Sequence, residues 1–340
     1  MRKSQFAALV IFMIGMACSQ KPPSYPGGQG EYQFFKTLAQ KVPILNPDKD
    51  AVLVKSTAFQ LKVSDIRPDV YQKFGIFNDS PGKISKKELV SYLGNLISQK
   101  MKEQLFVANA DHMGVTFPRD SVDHYIQGVI KTFGGKEATE KDLATRGLTL
   151  NMFSNNYRQK KLYRKYLEKV VYKNLTVDEK AIRDFYNGWK SASFRLFGFS
   201  FQGAAPSEKE KIRQKTESYL QKARAGENFG DLVKHFSEFP YRKDRGGLFE
   251  DFPRTHMPGY LQSAISNVDV GKVSDIFESD DGYFLFLKLE SRKKYTQPID
   301  EVKADIKDYL LYFKKNTAYK AAVDSLKKVY KVETLWTAGK

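Results

Sequence analysis

Cysteine occurs once in the 340-residue chain, at Cys18, and histidine four times, at His112, His124, His235 and His256. Cys18 follows an uncharged apolar run from Phe6 to Ala17 (FAALVIFMIGMA), itself preceded by Arg2 and Lys3, and is followed by the polar Ser19, Gln20 and Lys21. Such a run has the length of a signal-peptide core and is too short to cross a hydrocarbon layer of about 30 Å as a helix. Cleavage after the small Ala17 leaves Cys18 at a new N-terminus, where its thiol can take a diacylglyceryl group as a thioether. Gly15 stands where such cleavage motifs usually carry Leu. The expectation is a signal peptide over residues 1–17 and lipidation at Cys18. The sequence shows no metal-ligand cluster, no catalytic triad and no glycine-rich phosphate loop, so no cofactor and no metal are expected. One cysteine also excludes a disulfide within the chain, and the fold must rest on its core.

After Cys18 the chain reads SQKPPSYPGGQGEYQ, rich in Pro and Gly and without an apolar period. Residues 18–50 are therefore expected to form a flexible, lipid-anchored tether. With 25 Phe and 19 Tyr the remainder has ample material for packed cores. The formal net charge of +17 would suit nucleic acid, but Lys and Arg are dispersed among Glu and Asp along amphipathic helices and no nucleic-acid motif is present. Nucleic acid is not an expected partner. Attraction to anionic lipid surfaces or acidic clients fits better, and a plain solvated charged surface fits better still.

Residues 51–63 (AVLVKSTAFQLKV) alternate as two short strands, and Ser64 and Asp65 are helix-cap types. Leu89, Leu93, Leu96, Ile97, Met101, Leu105 and Phe106 form the stripe of a helix over 84–109, with Ser85 and Glu88 as a capping box. Further helices are expected from about Asp120, over 139–145 with Thr139 as cap, over 150–172, and from a Thr176 cap to about Trp189. This order resembles the N-terminal domain of SurA-like and PrsA-like extracytoplasmic chaperones over residues 51–190. The resemblance lies in the short strands before SDI, the MGVTFPRDSVD block, the YRQKKLYRKYL helix and LTVDEKAIRDFY.

In residues 192–291 the expected order is strand, helix, helix, the loop FPYRKDRGGLFEDF, helix and two strands. Gly226 and Phe229, Ser237, the Gly246–Gly247 pair and the closing VGKVSDIFESDDGYFLFLKLES are similar to the parvulin type of prolyl isomerase. That resemblance implies an apolar cup for a proline ring and a polar cluster of two histidines, a Cys or Asp, and a further Asp. The cluster positions fall here on Gly198, Phe284, Phe239 and Leu248, none of them polar in this way. The cup positions fall on Phe249, Met257 and Leu261. None of the four histidines occupies a cluster position, although His256 lies near the cup.

Residues 292–340 read as a long amphipathic helix opened by Pro298 and Asp300, with Ile306, Leu310, Phe313 and Ala321 on one face, and a closing strand. By the same resemblance this segment returns to complete the N-terminal domain. The expected fold class is thus α+β: a helical SurA-type chaperone module with an inserted parvulin-like domain, a small antiparallel sheet flanked by helices. The expected function is ATP-independent holding of outer-membrane or other exported proteins in the periplasm, with weak or no isomerase activity. The partners would be unfolded or Pro-containing polypeptides, and a membrane through the lipid anchor. The alternatives are an active peptidyl-prolyl isomerase and a surface lipoprotein or adhesin on the same fold. Clients, membrane face and oligomeric state are not legible in the sequence.

Overall fold

A computed structural model describes residues 25–76, 81–202, 204, 206–279 and 281–336. The expected signal peptide and the lipidation at Cys18 lie outside the described residues. The described residues divide into two compact units, those up to 104, 117–161 and from 331 in one, those within 105–116 and 162–330 in the other.

The first unit begins with a helix where a tether was expected. α1 (Gly28–Ala39) buries Phe34, Phe35 and Leu38, and Leu45 follows them inward from a short 3-10 turn. The expectation of a flexible segment through residue 50 is therefore corrected for residues 28–45: the Pro/Gly-rich opening hides two phenylalanines whose burial favours a docked helix. Glu31 is buried with them and accepts the N–H of Gly27 at 2.9 Å. Desolvation raises its carboxyl pKa, and the Gly27 N–H and the nearby Arg67 only partly oppose the rise. Arg67, itself buried, donates to the carbonyl of Lys49 at 2.8 Å and sets its guanidinium 5.2 Å from the centre of the Tyr25 ring.

β1 (Val52–Lys55) and β2 (Gln60–Lys62) form the expected hairpin. α2 (Val63–Phe74) follows, its start secured by the Asp65 carboxylate, which accepts the Lys62 N–H at 2.7 Å. α3 (Lys86–Ala110) is capped as expected by Ser85, whose hydroxyl accepts the Glu88 N–H at 3.1 Å. α4 (Arg119–Thr132), α5 (Lys136–Thr145) and α6 (Leu150–Tyr166) continue the helical order. α5 starts a turn earlier than expected: Thr139 is no cap but a buried interior residue whose hydroxyl donates to Gly135 O at 2.8 Å. α7 (Glu179–Asn187) is capped by Asp178 rather than Thr176, because the carboxylate reaches the Ala181 N–H at 2.7 Å.

The second unit is built around a second sheet. β3 (Ser191–Ser200), α8 (Pro206–Arg224), α9 (Phe229–Phe236), β4 (Leu248–Pro253), α10 (Gly259–Ser266), β5 (Phe277–Glu278) and β6 (Tyr283–Lys293) follow in sequence. The antiparallel order is β4-β3-β6-β5. β4 occupies part of the stretch expected to be a loop. Its alternation is masked because the register shifts between Ala192 and Phe194 and because Asp251 takes a left-handed φ of 44°. The two faces of the sheet carry separate cores. Phe197, Phe199 and Phe286 pack with Leu220 of α8 and Phe229, Leu232 and Val233 of α9. Phe194, Leu196, Leu285, Leu287 and Leu289 pack with Met257, Leu261 and Ile265.

α11 (Ile299–Val329) leads into β7 (Glu333–Thr334), which pairs with β1 to give the order β2-β1-β7. Of the face expected on α11, Ile306 is buried against Ile182 and Phe185 and Leu310 packs against that cluster, but Phe313 is 42% exposed and Ala321 is exposed. Toward its end the helix buries Val323 and Leu326 instead. A 31-residue helix meets different neighbours along its length, so one stripe does not describe it.

Two outcomes follow from α1. Phe35→Ala should lower unfolding free energy by about 3–5 kcal/mol in urea titration, whereas a tether residue would leave it unchanged. Because the folded-state pKa of Glu31 is raised, its contribution is present below the ordinary 4.5 and lost as pH rises through the raised value. Glu31→Gln should therefore gain stability relative to the parent chain across that window, read as a difference in melting temperature against pH.

Candidate functional site

Gly198 lies toward the end of β3, directly opposite Leu285. A Cβ there would lie 2.2 Å from Leu285 Cδ2 and 3.0 Å from Phe284 O, so a side chain at this position requires Leu285 to move aside. Phe284 pairs with Phe199 instead. Neighbouring residues on a strand face opposite ways, and the buried Phe284 ring lies on the α8 side, 4.6 Å from Phe201. The structure thus separates two positions expected to share one cluster. On the Gly198 side β6 supplies Tyr283 and Leu285, which the sequence reading passed over.

Phe239 is brought to the same side by the turn after α9. Ser237 is fully buried, and its hydroxyl accepts the N–H of Gly198 at 3.1 Å and of Phe239 at 3.2 Å. The Glu238 N–H also donates to Gly198 O at 2.8 Å. A serine rather than a larger residue fits there because the strand backbone passes this close. Phe239 then stands edge-on to Tyr241 at 5.2 Å and to Tyr283 at 5.4 Å. The Gly246–Gly247 pair has a parallel origin: Gly247 has φ 72°, and a Cβ on it would meet Leu196 O at 2.5 Å.

Phe249, opposite Phe194, stacks on that ring at 5.0 Å, and the Arg242 guanidinium lies 5.0 Å from the Phe249 centroid. Leu248 pairs with Arg195 and so belongs to the other side of β4. Phe252 reaches the Phe249 side despite its spacing of three, by the register shift described above. Met257 and Leu261, 3% and 6% exposed, form the floor and are already covered by their neighbours. The surface left to a ligand is an aromatic rim: Phe239, Phe249 and Tyr283 are half-buried and Tyr241 is 64% exposed. Tyr241, Phe252 and Tyr283 escaped the sequence reading, since isolated aromatics between polar residues carry no period.

All four histidines are exposed and none joins this rim. His235 engages Asp231 O at 2.8 Å, and His256 lies on the 3-10 turn just before Met257. Among the described residues no group of three or more His, Cys, Asp or Glu is placed to hold a metal ion. A cleft of about 540 Å³ lies elsewhere, at the ends of β3 and β6 beside Lys190, Lys293 and Lys294. It offers ammonium groups beside the Asp251 carboxylate, and none of its lining residues belongs to the aromatic rim, which is the better candidate for apolar recognition.

Chemically the site can bury and bind, but it presents no acid–base pair. Installing histidine tests the packing that closes it. Gly198→His should destabilise the domain through its collision with Leu285, and Leu285→Ala in the same chain should relieve part of that loss, seen as a partial return of melting temperature. Phe284→His should also destabilise, by roughly 1–3 kcal/mol for the buried polar group in addition to lost packing. It should add no isomerase activity, because its ring faces α8.

Residues 199–291 match the rotamase family, described as a PPIC-type PPIASE domain. The foldase protein PrsA of Clostridium botulinum is 25% identical over 341 aligned positions, covering 96% of this chain and 95% of that protein. The chaperone SurA of Dechloromonas aromatica is 35% identical over 97 residues, 28% of this chain and 22% of that protein. The crystal structure of PrsA from Bacillus anthracis superposes with a TM-score of 0.41 at 21% identity, covering 69% of this chain and 96% of that one. No helix among the described residues is long and apolar enough to cross a membrane. Over most of its length the chain is similar to PrsA foldases and in part to SurA, and its residues 199–291 match a PPIC-type rotamase domain.

Proposed function

We propose that this protein is an extracytoplasmic, ATP-independent chaperone that holds unfolded polypeptides, tethered to a membrane through a lipid on Cys18. Its parvulin-type domain binds proline-containing or aromatic segments and isomerises them weakly or not at all. The observation that carries this reading is the composition of the rim and its floor. Phe239, Phe249, Met257, Leu261 and Tyr283 gather on the Gly198 face of the sheet, and Leu285 fills the space at Gly198 where a side chain would stand. Rotation about a peptide bond faces a barrier of about 18–20 kcal/mol. Apolar surroundings desolvate the amide and contribute part of what lowers it, but Gly198, Phe239, Leu248 and Phe284 cannot supply the histidine and Cys/Asp support that the parvulin resemblance implies.

The domain plan proposed with this function runs from a signal peptide at 1–17 through a chaperone module of residues 51–190 and 292–340, with residues 192–291 inserted. The pairing of β7 with β1 supports a C-terminal segment that returns to the module's first sheet. Exposed aromatics with flanking Lys and Arg suit loose recognition of many sequences and keep the complex soluble.

The chain without its signal peptide should suppress aggregation of a chemically unfolded client at near-stoichiometric ratio while leaving the cis/trans exchange of an X–Pro tetrapeptide near its spontaneous rate. Tyr241→Ala with Phe249→Ala should weaken client binding by about tenfold, corresponding to roughly 1.4 kcal/mol. Exchange as fast as with a parvulin that retains its histidines would overturn this in favour of an enzyme.

A further inference from the structure

The floor of the rim is carried by a short segment with a second attachment. Met257 and Leu261 lie between Arg254 and Gln262, and the far side of this stretch meets α7 and α11. Gln262 Nε2 donates to the carbonyls of Arg254 and Met257, each at 3.0 Å, and to the hydroxyl of Tyr309 on α11. Arg254 Nε donates to Gln262 Oε1 at 3.1 Å, and its guanidinium lies 3.9 Å from the centre of the Phe185 ring of α7 and 5.1 Å from that of Trp189. One turn beyond Tyr309, the Phe313 ring presses on Gly259, the first residue of α10, where a Cβ would lie 2.5 Å from it. α11 therefore grips the floor segment at two points spaced i and i+4, one polar and one steric.

We infer that Gln262 and Tyr309 are positioning residues for the client rim: α11 sets the placement of Met257 and Leu261 through the Gln262 side chain. An amide NH2 has two hydrogens and faces three acceptors here, so the hold on Met257 O depends on what Tyr309 accepts. Arg254 completes the bridge. Burial lowers its pKa, and its cation rests on aromatic faces and on the Gln262 oxygen. A displacement of α11 thus moves the floor of the rim, and by reciprocity an occupied rim biases α11.

The peptide-affinity part of this inference rests on the function proposed above; the spectroscopic part does not. The test uses the chain without its signal peptide, labelled with 13C at the methionine methyls, and a proline- and aromatic-containing decapeptide as probe. Tyr309→Phe, which removes one hydroxyl, and Gln262→Ala should each shift the Met257 methyl resonance and weaken probe binding by about fivefold, the low end of coupling between sites. Tyr312→Phe, on the same helix at 64% exposure, should change neither. An unmoved Met257 resonance in both Tyr309→Phe and Gln262→Ala, in chains that melt as cooperatively as the parent, overturns the inference. Should the parent chain fail to bind the probe, the functional reading falls, and the methyl shift alone then decides the bridge.

Discussion

The antiparallel pairing of β3 with β6 is the constraint on which the second unit depends. It runs from Ser191 opposite Lys293 to Ser200 opposite Tyr283, with a single shift between Ser193 and Phe194. Because side chains alternate strictly along paired strands, this register assigns every residue to one of two faces. It sends Phe197, Phe199, Phe284 and Phe286 toward α8 and α9, and Leu196, Leu285 and Tyr283 toward the rim. The same register brings the Leu285 side chain into the space beside Gly198. Ser237 then ties the turn after α9 to that glycine, and Phe239 and its aromatic neighbours take their places from that tie.

An apolar rim on a strongly basic chain raises the question of where the positive charge goes. Part of it rests on aromatic faces. Lys215 Nζ lies 3.9 Å from the centre of the Phe199 ring and Lys209 Nζ 4.2 Å from that of Phe201. Arg242 covers Phe249 at the rim itself, and Arg254 covers Phe185 behind the floor. Such contacts are worth about 0.5–1 kcal/mol each where exposed and more where water is excluded. They let a chain with 56 Lys and Arg against 39 Asp and Glu keep cations beside apolar surface. Lys209 and Lys215 also meet carboxylates, Glu278 at 2.8 Å and Glu238 at 3.5 Å, so these two cations are shared between aromatic faces and acids.

Parts of the fold were legible residue by residue. The hairpin of residues 51–63, the Ser85 cap and α3 follow from alternation, cap chemistry and helical spacing, all of which act over a few neighbours; α11 was legible as a helix, but its buried face only at Ile306 and Leu310. α1 was not legible, since PPSYPGGQG reads as a linker and the burial of Phe34 and Phe35 is settled by distant partners. β4 was hidden for a similar reason: the register shift and the left-handed Asp251 break the alternation that would announce a strand. At the site, Gly198, Phe239, Phe249, Met257 and Leu261 were singled out by resemblance and do gather on one side of the sheet. Phe284 and Leu248 were singled out with them and lie on the other.

The sequence by itself determined which residue types are available: no histidine at the expected cluster positions, a serine after α9, paired glycines, and abundant aromatics. Those are properties of single positions. Only the tertiary structure decided which of them meet. Whether Tyr283 or Phe284 lies on the Gly198 side of the sheet turns on one residue of register between strands more than eighty positions apart, and the grip of Tyr309 and Phe313 on α10 on the docking of a helix nearly fifty residues downstream. Contacts across such separations leave no local period, because the chain between them is free to vary without altering the pattern on either side.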